Sequence, residues 1–145
     1  MEQHVKRFDE LSPAELYALL RLRVEVFMLE QRCLYPELDG LDAAALHVWL
    51  SDGAGIAACL RVLDRGVRCE YVTIGRVIAV RRRRGLGTQV MREGIRAARE
   101  HFGNGPIYVE AQAYARPFYE NLGFRRISEP FDEDGIPHIK MLLDE

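Results

Sequence analysis

The fold is decided by the stretch Ile74-Gly75-Arg76-Val77-Ile78-Ala79-Val80-Arg81-Arg82-Arg83-Arg84-Gly85-Leu86-Gly87-Thr88. Its first half is apolar and rich in β-branched residues, which predicts a buried strand, and the apolar spacing that follows it predicts an amphipathic helix. A strand that passes through a basic, glycine-containing turn into a helix presents unpaired backbone N–H groups and a positive dipole end at one point. The stretch therefore predicts an anion site, and a diphosphate fits it.

Each part of this signal has an ordinary explanation, because arginine runs are usually solvated and Gly-x-Gly pairs are usually turns. Their combination between a strand and a helix favours binding, since close approach of the backbone to an anion needs small residues. No lysine follows Gly87 as a P-loop requires, and Val90 stands where a dinucleotide fingerprint needs glycine or alanine. The pattern therefore indicates a small molecule that carries a diphosphate.

Length and composition predict one domain, residues 1–145, with a net charge of −2. All basic residues except Lys6 and Lys140 are arginines, which suit phosphate and carboxylate. The arginines cluster at one short turn, so we do not expect nucleic-acid binding. No run of about 18 apolar residues and no charged-then-apolar leader occurs, so we expect a cytoplasmic protein outside the membrane.

The cysteines Cys33, Cys59 and Cys69 are odd in number and lack CxxC spacing, which argues against disulfides and zinc. Cys33 is either a catalytic thiol or a small, half-buried residue. His47 and His138 have no cysteine partners in a metal-binding spacing, so we expect no metal.

Hydrophobic periodicity and turn residues predict the order of the elements. A capping box at residues 12–15 begins a first helix that runs to about residue 29, and residues 33–45 form a loop. The predicted strands are 5–8, 47–50, 56–63, 69–80, 107–111, 124–127 and 138–143, and the later helices are 86–102 and 116–121. This order predicts an α/β or α+β sheet with helices packed on its faces.

Two stretches carry a resemblance to a known family. Arg82-Arg83-Arg84-Gly85-Leu86-Gly87 resembles the acyl-CoA signature of the GNAT superfamily of N-acetyltransferases, and residues 111–124, ending in Tyr119-Glu120-Asn121-Leu122-Gly123-Phe124, resemble its second signature. Residues 30–33, 35–42, 74–77 and 133–139 are similar to the ElaA-like subfamily. The resemblance runs from about residue 16 to residue 141, and it departs at Leu34, where the subfamily commonly has proline.

The resemblance implies the GNAT fold, a mixed, mostly antiparallel sheet with a V-shaped split between two central strands and helices on both faces. It implies that the pantetheine arm of acetyl-CoA lies in this split and that amides 82–88 bind the pyrophosphate. Gly75 suits either a bulge that opens the split or a packing position. The implied cofactor-binding residues are Val77, Ile78, Val80, Arg82, Arg83, Arg84, Gly85, Leu86, Gly87, Thr88, Gln112 and Phe118.

The resemblance also implies a transfer of the acetyl group to an amine, which needs a neutral nitrogen and a proton for the departing thiolate. It implies that Tyr119 is the acid, and we expect its phenol to have the ordinary pKa near ~10. Alternatively, Tyr119 is a core aromatic. The candidate bases are Glu110 and His138, ahead of Glu30, and a water path without a dedicated base is the other possibility.

The main hypothesis is direct transfer in a ternary complex of acetyl-CoA with an amine-bearing small molecule or peptide, without an acyl carrier at Cys33. A non-catalytic acyl-CoA-binding sensor or adaptor is the alternative, and a nucleic-acid module is a third. The chain is a monomer or a homodimer. Loop carboxylates are expected to attract a cationic amine, unless they are simply solvated. They are Glu37, Asp39, Asp42, Asp132, Glu133 and Asp134.

Overall fold

The computed structural model describes residues 1–30, 37–80, 85–133 and 135–144, and these form one mixed sheet with helices. The strands are β1 (Glu2–Arg7), β2 (Leu46–Asp52), β3 (Gly55–Leu63), β4 (Val72–Ala79), β5 (Ile107–Gln112), β6 (Arg125–Arg126), β7 (Phe131–Glu133) and β8 (Ile136–Leu143). The helices are α1 (Pro13–Arg23), which continues in π-helical turns over Val24–Glu30, α2 (Leu86–Phe102) and α3 (Arg116–Asn121). Short 3-10 turns occupy Phe8–Glu10, Asp42–Ala44 and Ala113–Ala115.

The sheet is split between its two central strands. Its order is β1-β2-β3-β4-β5-β8-β6, with β7 paired to β8. All described pairings are antiparallel except that of β4 with β5, which is parallel and joins only Val72 to Ile107 and Thr73 to Tyr108. Beyond Thr73 the two strands diverge. The predicted mixed sheet with a V-shaped split is therefore confirmed.

Helices cover both faces of the sheet, as the sequence predicted. Alternate residues of β2 face opposite ways, so that Val48 and Leu50 join a core with α2, whereas Trp49 packs with Leu19 of α1. The α2 side holds the larger core, and it includes Tyr119 of α3. The sheet therefore lies between α1 on one face and α2 with α3 on the other.

Helix α1 begins where its sequence predicts. The Ser12 hydroxyl accepts from the Glu15 N–H at 3.1 Å, and the Glu15 carboxylate accepts from the Ser12 N–H at 2.9 Å, which is a complete capping box. The inward face of this helix is formed by Leu19, Leu22, Val26 and Phe27, which pack in the cluster on this side of the sheet. The π-helical turns after Arg23 widen the helix and rotate its later side chains.

Strand β4 contains a bulge at the position where the sheet opens. Cys59 pairs with Ile78 and Arg61 pairs with Gly75, so one residue of β3 opposes two residues of β4. The left-handed residue is Arg76, with φ 53°, and not Gly75, which does not adopt a positive φ. The bulge therefore lies at Arg76 and Val77, directly after Gly75, and the residue that bears the conformational strain is the arginine.

Replacing Met91 by alanine tests the contribution of the core between α2 and the sheet. Met91 is completely buried, so Met91→Ala should lower the free energy of unfolding by about 2–5 kcal/mol in urea denaturation. Gln89→Ala, on the exposed side of the same helix, is the control and should change it by less than about 0.5 kcal/mol. Equal effects of the two substitutions would contradict this assignment of the core.

Candidate active site

A cleft of about 900 Å³ passes through the split between β4 and β5. Its walls come from the last part of β4, from β5, from the end of α1, from the start of α2 and from α3. The cleft forms because the two central strands separate after Thr73, so the backbone of later residues in each strand has no ladder partner in the other. These parts of β4 and β5 therefore line the cleft.

The start of α2 forms one end of the cleft. Gly85 precedes the helix in a left-handed conformation with φ 67°, and as a glycine it has no side chain of its own to cap the helix. The Gln89 N–H donates to the Gly85 carbonyl, so the amides of residues 86–88 precede the first intrahelical hydrogen bond. Free amides at a positive dipole end suit an anion. This end of the cleft therefore fits a phosphate group.

Gly87 lies where α2, α3 and the end of β4 meet. A Cβ atom at this position would stand 3.4 Å from the Phe118 ring and 3.9 Å from the Ala79 methyl group. A larger side chain would therefore fill the space between the helix start and the aromatic ring, and would close this end of the cleft.

The predicted cofactor-binding residues fall into three groups. Those that line the cleft are Val77, Ile78, Val80, Gly85, Gly87, Thr88, Gln112 and Phe118. Leu86 is buried in the core, so only its backbone is available to a ligand. Arg82, Arg83 and Arg84 lie outside the described residues, and so do Cys33 and the side chain of Glu30.

Tyr119 is buried and lies at the cleft. Its ring contacts Phe118 and Phe124 edge-on, with centroid separations of 5.0 and 5.8 Å. Burial raises the pKa of Tyr119 to about 12, with a smaller contribution from Tyr114, so the expected pKa near ~10 is wrong. The phenol therefore keeps its proton at neutral pH. Tyr119 is both a core aromatic and a cleft residue, so the two alternatives are compatible.

Glu110 lines the cleft, but its two oxygens are already engaged. One accepts from the Tyr108 hydroxyl at 2.7 Å, and the other accepts from Arg68 at 3.1 Å. Burial, and then the bond to Glu110, raise the pKa of Tyr108. The contact between Tyr108 and Glu110 could be predicted from the sequence, because residues two apart on a strand lie on the same face. The contact between Arg68 and Glu110 could not be predicted, because the two residues lie far apart in the chain.

His138 lines the same cleft with one ring nitrogen available. Its Nδ1 lies 2.8 Å from the Ile136 carbonyl, which can only accept, so Nδ1 carries the proton. In the neutral ring Nε2 therefore presents a lone pair, and this atom lies 3.4 Å from the Glu133 carboxylate. That carboxylate would stabilise the positive charge of the ring after it took up a proton.

The candidate acid and the candidate bases lie on opposite faces of the sheet. Val109 and Ala111 face the core on the α2 side, so Glu110 and Gln112 face the α1 side. His138 pairs with Gln112 across β5 and β8 and shares that face. Tyr119 belongs to the α2 side. The cleft reaches all three candidates because it passes through the split.

An arginine–carboxylate network borders the cleft on the α1 side, and it consists of Arg23, Arg61, Arg76, Glu37, Asp39 and Asp42. Arg23 binds Asp42 through two nitrogens at 2.9 and 3.0 Å and donates to Glu37 at 2.9 Å. Arg61 likewise binds Asp39 through two nitrogens, at 2.9 and 2.6 Å. The network contains three cations and three anions and is mostly buried.

The network corrects the role expected for three of the loop carboxylates. Glu37, Asp39 and Asp42 bind internal arginines instead of a substrate cation. Burial alone would raise the pKa of Asp39, but the hydrogen bonds from Arg61 and from the Leu41 N–H lower it to about 2. Of the other expected carboxylates, Glu133 lines the cleft, Asp132 accepts from the Gly135 N–H, and Asp134 lies outside the described residues.

The remaining sequence expectations concern thiols, metals and membranes. Burial raises the pKa of the Cys59 thiol to about 12, which leaves it unreactive, and Cys69 is half-buried. In the described part of the chain, no three His, Cys, Asp or Glu side chains are arranged to hold a metal ion. None of the helices formed by those residues is long and apolar enough to cross a membrane.

Comparison with known proteins gives consistent matches over nearly the whole chain. The family described as Acetyltransferase (GNAT) domain matches residues 11–145. Protein ElaA of Escherichia coli strain K12 is 41% identical over 139 residues, which cover 92% of this chain and 90% of that protein. YjcF of Bacillus subtilis strain 168, an uncharacterized N-acetyltransferase, is 33% identical over 127 residues, which cover 85% of this chain and 88% of that protein. The crystal structure of an acyl-CoA N-acyltransferase from Pseudomonas aeruginosa superposes with a TM-score of 0.91 at 41% identity, over 99% of both chains.

The low pKa of Asp39 predicts an acid-dependent loss of stability. Because the folded pKa, about 2, lies below the reference value of 3.8, Asp39 stabilises the fold above about pH 4. This contribution is lost as the pH falls through the folded pKa. Asp39→Asn should lower the free energy of unfolding at pH 7 and flatten its decline below about pH 4, as measured by urea denaturation. An unchanged decline would contradict the network as described.

Proposed function

Because this chain belongs to the GNAT family of acyl-CoA-dependent N-acyltransferases, we propose that it transfers an acetyl group directly from acetyl-CoA to a primary amine in a ternary complex. The observation that carries the proposal is a single cleft that joins the amides at the start of α2 to Tyr119 on one face and to His138 on the other. One passage through the sheet thus connects an anion site with a hydrogen-bond donor, Tyr119, and a proton acceptor, His138.

Acetyl-CoA would be bound mainly by backbone groups. The amides of residues 86–88 would hold the pyrophosphate of acetyl-CoA, and the part of β4 beyond Thr73, which does not pair with β5, would bind the pantetheine arm. Phe118 and Val77 line the cleft along this path. Because these contacts come mostly from the main chain, they would bind the coenzyme part of the donor. Selectivity for the acyl group would then depend on the far end of the cleft.

Tyr119 is proposed to act on the sulfur when the thioester breaks. The amine nitrogen forms a bond to the acetyl carbon, the C–S bond breaks, and negative charge develops on sulfur. An alkyl thiol has a pKa of about 8.5, so the thiolate is a weaker base than the phenolate of Tyr119, whose pKa is about 12. Tyr119 would therefore stabilise the thiolate as a hydrogen-bond donor. Solvent can then supply the proton that completes CoA-SH.

Of the two candidate bases, we consider His138 the better acceptor of the proton that the amine loses. Its Nε2 presents a lone pair, and Glu133 lies close enough to stabilise the charged ring. Glu110 already accepts from Tyr108 and Arg68, so its carboxylate would need to lose a partner before it could act. We therefore assign proton uptake to His138 and a positioning role to Glu110.

A non-catalytic acyl-CoA sensor is the second candidate, and a measurement of turnover separates it from the enzyme. Both functions predict that acetyl-CoA raises the melting temperature of the protein. Only the enzyme releases CoA-SH in the presence of an acceptor, so the proposal is tested with thiol detection over a panel of amines and peptides. Binding without turnover for any acceptor would favour the sensor. The cytoplasmic location expected from the sequence stays a prediction.

Tyr119→Phe should lower kcat about 10²-fold and leave the KM for acetyl-CoA within about twofold, because the ring packing is kept and only the hydroxyl is lost. Steady-state kinetics with thiol detection provides the measurement. Tyr17→Phe, at an exposed tyrosine of α1, is the matched control and should leave both constants unchanged. A kcat for Tyr119→Phe within threefold of the wild-type value would refute the assigned role.

His138→Gln should lower kcat/KM about 10²-fold near neutral pH, and the deficit should shrink as the pH rises, because solvent then removes the proton from the amine. The pH profiles of wild type, His138→Gln and Glu110→Gln provide the test. Glu110→Gln should show the smaller deficit, since an amide can still accept from Tyr108. A larger, pH-dependent deficit in Glu110→Gln would reverse the two roles.

A further inference from the structure

Arg76 adopts a backbone conformation that residues with a Cβ atom avoid. It is the non-glycine residue with a positive φ, 53°, in the part of the chain that the structure describes. It sits in the bulge of β4, three residues beyond Thr73, where pairing with β5 ends. A left-handed residue with a Cβ is unfavourable, so something must hold it in place.

The side chain of Arg76 is fixed by two carboxylates that come from the segment after α1. Its Nε donates to Glu37 Oε2 at 2.7 Å, and its Nη2 donates to Asp39 Oδ2 at 3.3 Å and to the Glu37 carbonyl at 3.3 Å. The Glu37 side chain is 1% exposed and its Oε2 also accepts from Arg23, whereas its buried Oε1 has no hydrogen-bond partner among the residues that the structure describes. The carboxylate therefore lies at a defined point in the core.

The bulge determines how the backbone of β4 faces the cleft. Residues 75–78 all line the cleft, and they lie on the stretch of β4 that has no pairing with β5. A left-handed residue turns the peptide planes on both sides of it, so its conformation sets the direction in which neighbouring N–H and C=O groups point. Loss of the left-handed conformation at residue 76 would therefore change the direction of the N–H and C=O groups of β4 that line the cleft.

We propose that Arg76 is a positioning residue for acyl-CoA, whose ion pairs with Glu37 and Asp39 hold β4 in the conformation that binds the donor. This inference rests on the proposed function. It differs from a role in stability alone, because it concerns the backbone at residue 76 and not only the loss of ion pairs.

A comparison of Arg76→Ala with Arg76→Gly separates these roles, because both substitutions remove the same ion pairs but only glycine adopts a positive φ without cost. Titration calorimetry of the full chain with acetyl-CoA should show that Arg76→Ala binds about five- to thirtyfold more weakly than Arg76→Gly, the range that corresponds to the left-handed penalty. Arg21→Ala, which breaks an exposed pair with Glu25, is the control and should bind as the wild type does.

Affinities of the Ala and Gly variants within twofold of each other would overturn the inference. A wild-type protein that binds no acetyl-CoA would instead overturn the proposed function on which the inference rests. If Arg76→Ala does not fold, Asp39→Asn provides the second test. It should weaken binding in the wild-type background and have no further effect in the Arg76→Gly background, and an equal effect in both backgrounds would overturn the inference.

Discussion

The separation of β4 from β5 is the constraint on which the rest of this structure depends. Two neighbouring central strands that pair at only two positions leave the backbone groups beyond Thr73 without ladder partners in each other. Such groups are costly when they are buried dry, which favours a ligand or water between the two strands. The cleft, the access of Tyr119 from one face and the access of His138 from the other all follow from this opening.

The network on the α1 side shows how the fold tolerates the opening. Beyond Thr73 β4 pairs with β3 but not with β5, and the bulge at Arg76 adds backbone strain. Arginines from α1, β3 and β4 meet three carboxylates of the segment after α1, and the network contacts β4 through Arg76. Buried ion pairs contribute little net stability, but they specify one geometry when every partner is present.

The elements that sequence could predict are those encoded locally. The capping box of α1 and the glycine-containing turn that precedes α2 depend on residues only a few positions apart. The network could not be predicted, because its partners lie 14 to 39 residues apart in the chain. The raised pKa of Tyr119 was missed for the same reason, since burial follows from tertiary packing.

A crystal structure of the full chain with CoA would show whether the coenzyme lies in the split of the sheet. We expect the pyrophosphate within about 3 Å of the amides of residues 86–88, the pantetheine arm between β4 and β5 beyond Thr73, and the sulfur within hydrogen-bond reach of the Tyr119 hydroxyl. CoA bound elsewhere, or β4 and β5 joined by a continuous ladder with the coenzyme outside it, would refute the role of the split.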